Sequence, residues 1–194
     1  MSVVFRFQYV RGTAIFNLQL LFMPNQQPIG KIFSTKVIVL SALLVSTLDL
    51  LSAYVDVYIN TGKNSFPIVS KYIASGIVGP SSMSGGAGMI LLGILSHYFI
   101  ASSFAVFFFL IYPKIPALSK SRIITGILYG IFVWCVMSFI VVPLSNVPPR
   151  KPYEFWKVFK AISILIFMIG LPLSFIAAKY YKKTEVVPSV QGLE

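Results

Sequence analysis

Charge and reactive side chains are scarce in this chain. Only 11% of its 194 residues are charged, five are acidic, and it has one cysteine and one histidine. Soluble domains average about 25% charged residues. That deficit, with 57% apolar residues and a mean hydropathy of +0.85, excludes a water-soluble globule and makes the chain an integral membrane protein. The single cysteine, Cys135, lies in an apolar run, so neither an intrachain disulfide framework nor a thiolate metal site is available. With one histidine and no cluster of soft ligands, the usual coordination sets for a metal or a haem are missing, and no metal or other cofactor is expected. No serine, cysteine or glutamate stands in a recognisable catalytic signature, so no catalytic residue is assigned and the chain reads as non-enzymatic.

The net charge of +11 comes from basic residues scattered singly between apolar runs. That pattern fits loops facing anionic lipid headgroups, whereas a nucleic-acid surface interleaves basic runs with exposed aromatics. The lipid bilayer is the expected environment and nucleic acid is not a partner. Stripes of small residues leave a second copy of the chain or another membrane protein open as a partner.

The expected fold is all-α: an integral membrane four-helix bundle with a short interfacial or re-entrant helix between the first two spans. Residues 1–35 read as an N-terminal tail with apolar patches too short to span, and with no secretory signal. Met23 opens a more ordinary membrane-protein start, so translation from Met23 is one expectation. A single transmembrane domain covers 36–183, and 184–194 is a polar tail.

The first span is expected at about 37–59, with Lys36 at its start, Asp49 near its middle and Asp56 snorkelling from its far end. Ser46, Thr47 and Ser52 lie within a turn of Asp49 and make a polar strip that should face protein. Between 66 and 78 a short helix is expected to share an apolar face of Ile68, Tyr72 and Ile73 opposite Lys71 and to stop at Gly79. The glycine-rich turn that follows, Ser84, Gly85, Gly86 and Gly88, either lets backbones approach closely or frees helix amides for an anion. The second span, about 89–112, carries His97 between Gly93 and Ala101 on one small-residue face. Phe104, Phe107, Phe108 and Phe109 read as lipid-facing and core packing. The third span, about 123–142, contains the Gly126/Gly130 pair, and a stiff loop with four prolines is expected from Pro143 to Pro152. The fourth, about 158–180, is expected to kink at Gly170 and Pro172, with Lys157 and Lys160 snorkelling outward.

Two buried ionisable groups then fall at one level. Asp49 lies about 18 Å from the start of its span, and His97, on the antiparallel neighbour, about 17 Å from the same side of a 30 Å core. An isolated charge at mid-bilayer costs at least about 2.5 kcal/mol, which pairing relieves. Asp49, His97, Ser46, Thr47 and Gly93 therefore form the candidate site. Three functions stay open: a structural lock between helices, a small proton-linked transporter or channel, and, least supported, a membrane redox or metal-binding protein. With both termini on one side, that side holds ten Lys and Arg against six, or eight against six from Met23, which favours cytoplasmic termini.

The strings STLD (46–49), SGIVGP (75–80), SGGAGMILLGILSHYFIA (84–101), LYGIFVWCVMSFIVVPLS (128–145) and GLPLSFIAAK (170–179) resemble a large family of small uncharacterised bacterial four-helix inner-membrane proteins, and are loosely similar to YagU-type proteins. The resemblance implies a bacterial inner-membrane location and maps the family's aspartate to Asp49, its glycine turn to Gly85 and Gly86, its histidine to His97 and its proline-leucine-serine turn to Pro143, Leu144 and Ser145. Many members carry a second histidine before the last glycine-leucine-proline. This chain has Ile162, Ser163 and Ile164 there, which weakens a metal or haem role. The family brings no established activity.

Overall fold

A computed structural model of the chain describes residues 34–148 and 154–185. The Met23 start, nearly all of the N-terminal tail, the middle of the proline-rich loop and the C-terminal tail from 186 lie outside the described residues. Four helices are long and apolar enough to cross a membrane, so the chain is a multi-pass all-α membrane protein.

The first span, α1, is Thr35–Thr61, closed by Gly62 in the left-handed conformation with its N–H on the Tyr58 carbonyl. A short helix follows, α2, Ser65–Val78. The Asn64 side chain caps it by accepting from the Phe66 N–H, Pro67 sits in its first turn, and Gly79 at φ 77 ends it. A 3-10 turn, Pro80–Ser84, leads to the second span, α3, Ala87–Ile111, which tightens into a 3-10 turn at Tyr112–Lys114. After one turn of helix, α4, Ala117–Lys120, the third span, α5, runs Arg122–Leu144, with the Ser121 hydroxyl accepting from the Ile124 N–H. The fourth span, α6, is Phe155–Tyr180, and its helix continues to Glu185.

Both prolines inside spans follow a π turn. In α5 the turn is Met137–Val141, where the Val142 N–H reaches back to Met137, and Pro143 comes next. In α6 it is Ile166–Gly170, where the Leu171 N–H reaches Ile166, ahead of Pro172. Proline lacks an N–H and its ring crowds the carbonyl four residues back, and a widened turn moves that carbonyl aside. One expectation changes accordingly: Pro143 is inside the third span and does not begin the loop. In the fourth span the helical pattern is interrupted at Gly170 by the π turn and carries on through Pro172.

The helices meet along small residues. Gly126 and Gly130 on α5 face Gly170, Ile166 and Leu171 on α6, where an added Cβ on any of the three glycines would overlap backbone of the facing helix. Around this contact the core joins all four spans: Ala42 and Val45, Ala105, Phe108 and Phe109, Tyr129 and Val133, and Ile169, Leu173 and Ala177. The buried Tyr129 hydroxyl donates to the Phe104 carbonyl, and its ring lies 4.6 Å from that of Phe108. Phe107 remains partly exposed and stacks on Phe132, so the phenylalanine cluster serves both core and surface.

At the opposite end α2 packs mainly against α3 and also against α1. Its C-terminal carbonyls are held from beyond α5, the Asn146 N–H donating to Gly76 at 3.0 Å and the Asn146 amide to Ile77 at 2.8 Å. Of the expected apolar face, Ile68 and Ile73 are half-buried and Tyr72 is open, and the side chains wholly inside are small ones. Val69, Ser70, Ala74 and Ser75 are buried, while Tyr72 is exposed. The reason is at Gly93, whose missing side chain lets the Ser70 main chain rest on α3, and only small residues fit that approach.

Gly93→Ala would place a Cβ into the Ser70 carbonyl, whereas Gly88 has open space around it. We expect Gly93→Ala to lower the melting temperature of the purified protein, by an overpacking cost of about 1–3 kcal/mol, and Gly88→Ala to leave it unchanged or raise it slightly. Thermal melts in detergent check both.

Candidate functional site

The contact between α1 and α3 is a ladder of polar pairs. Ser46 and Ser102 hydroxyls lie 3.5 Å apart, Thr47 and Tyr98 hydroxyls 2.8 Å apart, and His97 faces both Ser46 and Asp49. Antiparallel packing explains the order, since each step along α1 pairs with a step back along α3. Serine and threonine tolerate the helix interior here because their hydroxyls also bond within the helix, Thr47 to the Leu43 carbonyl and Ser52 to the Asp49 carbonyl.

His97 is the central rung. Its Nε2 lies 3.0 Å from the Ser46 main-chain oxygen, and because a carbonyl can only accept, Nε2 carries the hydrogen and donates. The same nitrogen is 3.7 Å from Asp49 Oδ2, an ion-pair distance when the ring is protonated and longer than a hydrogen bond. The Tyr98 ring stands edge-on to the imidazole. The His97 side chain is 13% exposed and that of Asp49 20%, so the carboxylate has the more open position.

The other site candidates divide. Ser46 is completely buried between the helices, while Thr47 sits at the exposed edge and carries the Tyr98 contact. Gly93, one turn from His97, belongs to the α2 crossing, and Ser70 at that crossing also meets the Tyr54 hydroxyl at 3.0 Å. Along one edge of the ladder, Tyr98, Phe99, Ser102, Ser103, Val106 and Phe107 of α3 line an open groove of about 590 Å³.

The close backbone approach expected at the glycine-rich turn does not occur there. A Cβ at Gly86 or Gly88 would meet nothing within 4 Å, and at Gly85 it would meet Met89 from the same segment, so no other helix approaches there. The Ser84 hydroxyl donates to the Ser81 carbonyl and stays within its own turn. Close backbone approach occurs instead at Gly93. Among the described residues no group of three or more His, Cys, Asp or Glu could hold a metal ion.

A second ionic contact escaped the sequence reading. Asp56 and Lys160 form an ion pair between α1 and α6, and Asn60 adds a bond to the same Asp56 oxygen at 3.1 Å. Lys160 therefore turns to the neighbouring helix, while Lys157 pairs with Glu154 on its own helix at 2.8 Å. A signal was present. Asp56 lies five residues before the end of α1 and Lys160 five after the start of α6, which puts them at one depth in antiparallel spans.

The chain matches no protein-family model, no curated protein and no solved structure.

Exchanging the charges tests the second pair. Asp56→Lys alone sets two cations together and should lower thermal stability, and the double exchange Asp56→Lys with Lys160→Asp should restore most of the loss. Partly exposed pairs are worth about 0.2–1 kcal/mol, so the restored part is read best as a melting shift at low salt.

Proposed function

We propose that the chain is a non-enzymatic integral membrane protein whose Asp49 and His97 pair locks α1 to α3 in a fixed register. The observation that carries this reading is the Nε2–H of His97 donating to the main-chain carbonyl of Ser46. A side-chain bond to another helix's backbone fixes rotation and height together, and it sits among two further polar rungs. In lipid, where apolar side chains gain little by leaving their surroundings, such bonds and close packing supply the specificity of association. Both termini would face the cytoplasm of a bacterial cell, with the bilayer of the inner membrane as solvent. The excess of basic residues on that side supports this orientation.

A second reading, a small proton-linked transporter or channel, is favoured by the position of Asp49. Its side chain keeps a fifth of its surface open and lies beside the ring that would exchange its proton.

A double-mutant cycle decides between the two. For a lock, His97→Ala and Asp49→Asn each lower the melting temperature in detergent, and their effects fall short of additivity by roughly 0.5–3 kcal/mol. Unchanged melting in both single variants excludes the lock. For proton transport, proteoliposomes under a pH gradient acidify a trapped dye, and Asp49→Asn abolishes the signal. Fluorescence from a green fluorescent protein fused to the C-terminus checks the orientation, since that fusion folds in the cytoplasm and stays dark when exported.

A further inference from the structure

We propose that α2 and the 3-10 turn after it, residues 65–84, are inserted into one leaflet of the bilayer, with their open side chains against lipid acyl chains.

The first observation is an inversion of polarity. Ser70, Ser75 and Ser82 are fully buried, and their hydroxyls are used inside the protein: Ser70 with Tyr54, Ser75 on the Tyr72 carbonyl and Ser82 on the Lys71 carbonyl. The large side chains left open are Phe66, Tyr72, Ile77, Val78 and Met83, with Ile77 54% exposed, and beside them only the smaller Pro80, Ser81 and Ser84 of the 3-10 turn are open. A segment at a water interface turns its serines outward and its large apolar residues inward. Along α2 the serines Ser70 and Ser75 are inside while Phe66, Tyr72, Ile77 and Val78 are open, the reverse of that pattern.

The second observation is depth. Lys36 to Asp56 and Lys160 to Lys179 are the uninterrupted stretches of α1 and α6 whose ends are charged, apart from Asp49. At about 1.5 Å per residue they measure roughly 30 and 28 Å, the thickness of the hydrocarbon core, so the Asp56–Lys160 pair marks its edge on the α2 side. Because Asp49 faces His97 in antiparallel helices, Asp56 is level with about Ile90. Gly93, on which the Ser70 backbone rests, is three residues further in, so α2 crosses α3 about 5 Å inside that edge. Interfacial helices insert by about 5–10 Å.

The third observation is charge. From residue 57 to residue 153 the chain has no acid. The cations of this segment, Lys63 and Lys71, are both near the marked edge, and the Lys71 ammonium donates to the Met83 carbonyl at 3.4 Å. At that edge Lys63, Lys71, Lys157 and Lys160 outnumber Asp56 and Glu154, so anionic headgroups meet a net positive charge. Lipid, rather than a second copy of the chain, is therefore the occupant.

Site-directed spin labelling of the full chain in liposomes tests the proposal. Cys135→Ala supplies a background without other thiols, and Ile77→Cys and Phe66→Cys label the two ends of α2, with Lys63→Cys as the aqueous reference. Melting curves establish that each labelled protein is folded. Insertion predicts that collisions with oxygen exceed those with a water-soluble nickel chelate at residues 77 and 66, by a ratio several-fold higher than at residue 63. A ratio like that of residue 63 overturns the proposal in favour of a water-facing segment. Low collision rates with both reagents overturn it in favour of a covering protein surface, and dilution into excess lipid then identifies a second copy if the rates rise.

Discussion

Backbone touching backbone is the constraint on which the rest of this protein depends. Inside a bilayer the hydrophobic effect does not draw helices together, because the lipid is as apolar as their side chains. Association falls to dispersion contacts and to hydrogen bonds, and both require short distances. Gly93 supplies that approach for α2 and α3, and Gly126, Gly130 and Gly170 supply it for α5 and α6. These contacts bring α2 onto α3 and α5 onto α6 at backbone distance, and the polar pairs of α1 need a comparably close approach. If α3 stood farther from α1 by the width of one methyl group, the Nε2 of His97 could not reach the carbonyl of Ser46.

The few ionisable groups are treated differently according to depth. Asp49 and His97 lie well inside the apolar region, where the His97 Nε2–H donates to the Ser46 carbonyl with Asp49 beside it, a bond that does not require the ring to be charged. Asp56 and Lys160 lie nearer the edge and form a direct ion pair, helped by Asn60. Charged pairs are affordable where water or headgroups can reach them, and hydrogen bonds to fixed backbone acceptors serve where they cannot. The first span carries both acids and depends on α3 for one and on α6 for the other.

Much of this was legible in the residue pattern. The four spans follow from apolar length, and the facing of Asp49 and His97 follows from counting residues inward from opposite ends of consecutive helices. The small-residue face of Gly93, His97 and Ala101 was visible at a spacing of four. Other features were hidden for definite reasons. The glycines at 85, 86 and 88 looked like a close contact because composition records what a residue permits and not which neighbour arrives. Pro143 looked like a boundary because the usual rule assumes a helix of fixed pitch, and a π turn one residue earlier suspends it. The side of α2 that turns inward was not legible, because next to Gly93 burial is ranked by size and not by apolarity. Asp56 and Lys160 were each read alone, since their helices are first and last in the chain.

That last separation sets an order of events during synthesis. The first span enters the membrane with two acids and no partner for either. His97 follows Asp49 by about 50 residues and Lys160 follows Asp56 by about 100, which at 5–20 residues per second means several seconds and then up to about 20 s of waiting. Among the described segments α2 is the first to follow α1, and in the finished fold its Ser70 meets Tyr54. The short helix is thus placed to cover part of α1 before the span that carries Lys160 has been made.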